Sequence, residues 1–123
     1  MAKWQLDTIL DQALEYIANN VTQETVCSAQ PANYTEAVTT FMLARKTGLT
    51  SGSFTLGNGD TSGRKLSIGQ QPTIPVSNGG TATHVALCSG SVLLYVTTCT
   101  PQPITGGNTV TIPAWDIEIA DAS

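Results

Sequence analysis

Apolar residues change their spacing twice along the chain. Over residues 6–20, LDTILDQALEYIANN, the positions Leu6, Ile9, Leu10, Ala13, Leu14 and Ile17, followed by Val21, recur every three or four residues. That spacing predicts one stripe of an amphipathic helix. Asp7, Asp11, Gln12 and Glu15 fall on the other face. Asp7 or Thr8 is placed to cap the first turn, where negative charge is favoured. Asn19 and Asn20 suit the exit, and Trp4 is placed to staple the start. The helix packs on its own domain, which is the favoured reading, or it is an arm laid on a neighbouring subunit.

Residues 21–34 predict a short strand with Val26 and Cys27 buried, then a turn at Pro31. Residues 35–46, TEAVTTFMLARK, predict a second helix with Thr35 as cap and Arg45 and Lys46 in its last turn. Ala37, Val38, Phe41 and Met42 would form its inner face, although two mid-helix threonines weaken it. From Leu49 the period becomes two and glycine punctuates the chain. Strands are expected at residues 53–56 and 64–68 around a turn at 57–60, where Asn-Gly tolerates positive φ. The QQPTIPVSNGG stretch predicts an extended edge or loop interrupted by proline. Residues 83–88 and 91–98 predict a hairpin around Ser89 and Gly90. Residues 109–112 and 115–119 predict one final long strand, with Pro113 at an edge or bulge.

In the first hairpin strand His84, Ala86 and Cys88 share one face, and Val85 and Leu87 the other. Both faces are apolar, as in a strand covered on two sides. A chain of 123 residues rarely covers both by itself, so a partner subunit is expected over one. In the last strand Trp115, Ile117 and Ile119 face the core and Asp116 and Glu118 face water. Trp115 is a core residue or an interface anchor, with the core reading slightly favoured. The expected fold is α+β, with an N-terminal helical segment over residues 1–48 and a small antiparallel β-sandwich or barrel over 49–123, together one compact unit.

Charge sharpens this picture. No Asp, Glu, Lys or Arg occurs from residue 66 to 115, and only 11% of the chain is charged, less than half the usual share. A sheet without charge lacks the usual protection against pairing with its neighbours. The net charge is −4 and the five basic residues make no basic face, so nucleic acid is not expected as a partner. No apolar run reaches membrane-spanning length, and the acidic residues near the N-terminus do not suit a signal peptide. Synthesis and assembly in a reducing cytoplasm are expected. Cys27, Cys88 and Cys99 are then free thiols rather than a disulfide framework, with a bridge between chains as the minority reading.

Candidate chemistry is thin. His84 has no second histidine or carboxylate near it in sequence, and the three cysteines contain no CxxC pair, so a metal site is not expected. Ser62, His84 and Asp60 offer a nucleophile-base-acid trio with no supporting motif. The SGRKLS segment lacks the glycine spacing of a phosphate-binding loop. One carboxylate in Gly57-Asn58-Gly59-Asp60 is too few for calcium. No catalytic residue, cofactor or enzymatic activity is expected.

The segments VCSAQPANYTEA, NGDTSGRKLSI and THVALCSGSVLLYVTTCT, with the closing TVTIPAWDIEIAD, resemble a group of small proteins of tailed bacteriophages and prophages. The resemblance spans nearly the whole chain. It implies a virion component, most plausibly a capsid decoration or cement protein binding the head lattice as an oligomer. A neck, collar or tail-fibre position, or a receptor- or carbohydrate-binding module, is the alternative. The partners it implies are the major capsid protein or other virion proteins and further copies of the chain, with no nucleic acid and no membrane. Interface residues are expected among Trp4, Leu94, Tyr95 and Trp115, and an inter-chain disulfide would draw on Cys27, Cys88 or Cys99.

Overall fold

The stripe along residues 6–20 does become a helix, but it is rotated from its expected face. A computed structural model describes residues 7–59 and 63–119 of the chain. Helix α1 spans Asp7–Asn20. Leu14, Ala18 and Val21 are its fully inward residues, with Leu10 and Ile17 half-buried, while Ile9 and Ala13 stand in solvent. Asp11, expected on the wet face, instead sits at the margin and pairs with Arg64 Nε at 2.8 Å. Trp4 and the expected staple lie outside the described residues.

Nine strands follow among the described residues: β1 (Gln23–Cys27), β2 (Met42–Thr47), β3 (Phe54–Asn58), β4 (Arg64–Ile68), β5 (Gln71–Pro75), β6 (Gly80–Cys88), β7 (Leu93–Ile104), β8 (Thr109–Ile112) and β9 (Trp115–Ile119). The fold is α+β, as expected. Its strands divide into three sheets, in the orders β2-β1-β6-β7, β3-β4-β9 and β5-β8, rather than laddering round into a closed barrel. All ladders are antiparallel. One further bridge, Ala44 to Val76, ties the β5-β8 pair to the edge of the largest sheet.

The second helix is cut short. Residues 34–40 are helical, π-helical over Glu36–Thr40, and residues 42–47 are strand β2. Val38, Thr39 and Thr40 are β-branched, and their restricted side chains disfavour a longer helix. The β1 edge offers Met42–Thr47 a full ladder, from Cys27 against Met42 to Gln23 against Thr47. Asn33, not Thr35, caps the short turn: Glu36 N–H donates to Asn33 Oδ1 at 2.9 Å and Ala32 N–H to Glu36 Oε1 at 2.7 Å. Residues 7–48 therefore combine helix α1 with strands β1 and β2. Two of their segments are strands of the same sheet as β6 and β7.

The expected alternation in β6 holds. Leu87 and Val85 face inward, into two clusters: one formed with α1, Phe54, Leu66, Ile68 and Ile117, the other with Val26, Leu43, Ile74, Ala82 and Ile112. Ala86 and Cys88 face the other way, against Cys27 and Ala37, with Tyr34, Val38, Phe41, Leu93 and Val96 around them. The chain's own 34–41 segment thus covers one of the two faces of β6. The hairpin loop is longer than expected: Cys88 opposes Leu93, and Ser89 Oγ accepts from the Ser91 and Val92 N–H groups. The anticipated final strand is two strands, because at Pro113 and Ala114 the chain leaves one sheet and joins another.

Candidate functional site

Strands β7 and β8 follow one another across a short turn, residues 105–108, yet they are not paired. Such a connection ordinarily zips two strands into a hairpin. Among the described residues β7 ladders only with β6, and β8 only with β5. Two local causes are visible. Pro101 and Pro103 lie in β7 and Pro113 follows β8, and each removes a backbone donor from any β7-β8 ladder. The turn is also committed elsewhere: Gly107 N–H donates to Val76 O at 3.0 Å, and Val76 N–H to Asn108 O at 2.8 Å. Gly107 has φ +89, a left-handed conformation that favours glycine.

The splayed strands leave a groove along β7. Its wide end, of about 420 Å³, lies between residues 97–100 and the stretch Ile112, Pro113, Trp115 and Asp116, with Val85 as floor. A narrower continuation of about 210 Å³ runs over Val26, Ala82 and Ile104 and shares Val85, Cys99, Thr100, Ile112 and Pro113 with the wide end. The floor is apolar. Thr97, Thr98, Cys99 and Thr100 line one wall, and Pro113 and Trp115 the other. The nearest charge is Asp116, whose carboxylate lies 3.7 Å from Lys65 Nζ.

Beside this groove sits a group that sequence reasoning missed. Glu24, in β1, has no exposed surface. Its Oε2 accepts a hydrogen bond from Trp115 Nε1 at 2.9 Å, and its Oε1 has no partner among the described residues. Desolvation by burial pushes its carboxyl up to about 7, opposed in part by the Trp115 bond. The signal was present in the chain: Glu24 shares the inward face of β1 with Val26, a polar residue on an apolar stripe.

The expected interface residues are largely occupied within the chain. Leu94, Tyr95 and Trp115 are half-buried and pack on the cluster beneath α1. The Tyr95 and Trp115 rings lie 6.0 Å apart at 31°. All three cysteines are free. Cys27 and Cys88 are fully buried, and burial raises both thiols above their ordinary range, Cys88 to about 11 with the neighbouring Cys27 adding to it. Cys99 alone of the three is partly exposed, and it lines both parts of the groove. His84 is half-buried in β6 with Nδ1 2.8 Å from Thr83 Oγ1. No group of three His, Cys, Asp or Glu side chains suited to a metal ion occurs among the described residues. Asp60 and Ser62 lie outside those residues. No described helix is long and apolar enough to cross a membrane.

Comparison with known protein families, with characterised proteins and with solved structures finds no match for this chain.

Proposed function

We propose that this chain is a structural protein of a tailed-phage virion, a decoration or cement protein that binds the head lattice as an oligomer. The observation that carries this reading is the neutral edge of the molecule. Strand β7 is the longest strand described, forms the margin of the largest sheet, and contains no charged residue. Thr98, Thr100, Pro101, Gln102 and Pro103 stand exposed along it. Thr109 and Thr111 continue the same surface on β8. A solitary protein guards such an edge with charge, proline or a bulge; here Pro101, Pro103 and the register shift near them guard the backbone, and what the margin presents to neighbours is a neutral side-chain surface. The sequence resemblance to phage virion proteins supports the same reading.

The test is the copy number and position of the chain in purified particles. Copies comparable in number to the major shell protein, arrayed on the head lattice, are the expected result. A single ring of about a dozen or fewer at one vertex would replace decoration by a neck, collar or fibre role with cyclic symmetry.

A further inference from the structure

We infer that Asn78 is a self-modification site: its side-chain amide is lost to attack by the backbone nitrogen of Gly79, and the acidic product loosens the β5-β8 pair from the edge of the largest sheet. The inference goes beyond the assembly role and does not rest on it, because the chemistry lies within one chain.

Two Asn-Gly pairs occur in the sequence, Asn58-Gly59 and Asn78-Gly79. Asparagine is among the chemically labile residues. A glycine after it leaves the attacking nitrogen unshielded by a side chain and the backbone free to bend. In the reaction the Gly79 amide nitrogen gives up its proton and bonds to Asn78 Cγ. The Cγ–Nδ2 bond breaks, Nδ2 leaves with that proton as ammonia, and a succinimide ring remains. Water then opens the ring at either carbonyl, which gives aspartate or isoaspartate.

The structure separates the two pairs by the state of the nucleophile. Gly59 N–H donates to Gly63 O at 2.9 Å across the β3-β4 turn, and Arg64 Nη1 donates to Asn58 Oδ1 at 2.8 Å. Both reacting groups of that pair are held. Asn78 and Gly79 stand exposed between β5 and β6, with Asn78 in a bend. Gly79 N–H donates no hydrogen bond among the described residues. Asn78 Nδ2 donates to Met42 O at 3.1 Å, an exposed bond that holds the leaving group and not the nucleophile.

The same bend fastens the β5-β8 pair to β2. Ser77 and Asn78 N–H both donate to Leu43 O, at 2.8 and 3.1 Å, beside the Ala44–Val76 bridge and the Gly107 N–H bond to Val76 O. Conversion of Asn78 replaces the Nδ2 donor with a carboxylate oxygen, which can only accept, and sets it against the Met42 carbonyl. Isoaspartate also adds one methylene to the main chain between the Leu43 anchor and the start of β6. The new charge falls within residues 66–115, which hold no charged side chain, and takes the net charge of −4 one unit lower.

The test holds the native protein at mildly alkaline pH and follows both pairs by peptide mapping, with isoaspartyl methyltransferase labelling to identify isoaspartate. Asn78 is expected to convert roughly ten-fold faster than Asn58, whose hairpin must open locally before it reacts. In urea the two should convert at similar rates. Amide exchange in the converted protein should rise about ten-fold at Val76, Ser77 and Gly107, with Thr25 and Val26 of β1 unchanged. Asn78→Asp should show the same exchange without ageing, and Asn78→Gln should keep the wild-type pattern throughout. If Asn78→Asp does not fold, the aged wild type carries the same comparison. Conversion at Asn78 no faster than at Asn58 in the native protein would overturn the site. A difference that persists in urea would also overturn it, because sequence and not fold would then set the rates. Unchanged exchange at Val76, Ser77 and Gly107 after conversion would overturn the loosening. None of these outcomes depends on particle copy number, so this site and the decoration role can fail separately.

Discussion

Glu24 is the residue whose chemistry is least expected from its surroundings. A buried carboxyl with one oxygen bonded to Trp115 and the other without a partner among the described residues is held more favourably when protonated. Its folded-state value of about 7 lies above the ordinary value of 4.5, so the folded protein binds the proton more tightly than the unfolded chain. The stability this contributes is fully present below about pH 4.5 and is lost as the pH rises to about 7, with no further change above. The loss is on the order of 3 kcal/mol. Glu24→Gln should abolish that part of the pH dependence. It should also be more stable than the wild type at pH 8, by about 1–3 kcal/mol. Urea denaturation of both proteins between pH 4.5 and 8 checks this. Parallel curves would show that Glu24 is not the group responsible.

Segment 34–41 illustrates how an element gains its role from what it covers. Ala37 is fully buried on Cys27, Ala86 and Cys88, so a larger side chain there has nowhere to go. Ala37→Leu is expected to cost about 1–3 kcal/mol through overpacking. The same change should open a route to the thiols beneath. In the wild type a thiol reagent should modify Cys99 promptly, and Cys27 and Cys88 only on unfolding; in the variant all three should react under native conditions. Peptide mapping after labelling distinguishes the two patterns.

This segment also marks where sequence reading ran short. The α1 helix, though not its exact inward face, the β3-β4 and β6-β7 hairpins and the inward alternation of Val85 and Leu87 were legible because each is a local pattern. The 42–47 strand was not, since Leu43, Ala44, Arg45 and Lys46 fit a helix as readily, and the pairing with β1 that decides the matter reaches back to residues 23–27. The groove was hidden for the same reason. Nothing local says that β7 and β8, joined by four residues, will each choose another partner.

At the scale of the whole molecule, the uncharged half of the sequence becomes both core and margin. Its inward residues fill two apolar clusters, and its outward threonines, prolines and glutamines form a neutral border along β7 and β8. This division decides which substitutions test assembly. Leu94 packs on the core beneath α1, so Leu94→Asp would be expected to unfold the protein rather than detach it. Thr98→Glu and Thr100→Glu place charge on exposed β7 positions instead. They should leave the thermal midpoint within about 2–4 °C of the wild type, as for surface changes of about 0.5 kcal/mol. They should nevertheless reduce incorporation into particles at least ten-fold. Normal incorporation of the folded variants would remove β7 from the interface.

The central claim is the assembly role, and its most direct measurement is electron cryomicroscopy of the purified particle with quantitative gel analysis of copy number. The account predicts density for this chain repeated over the head lattice, with β7 turned toward a neighbouring subunit. Particles that lack the chain altogether would contradict it.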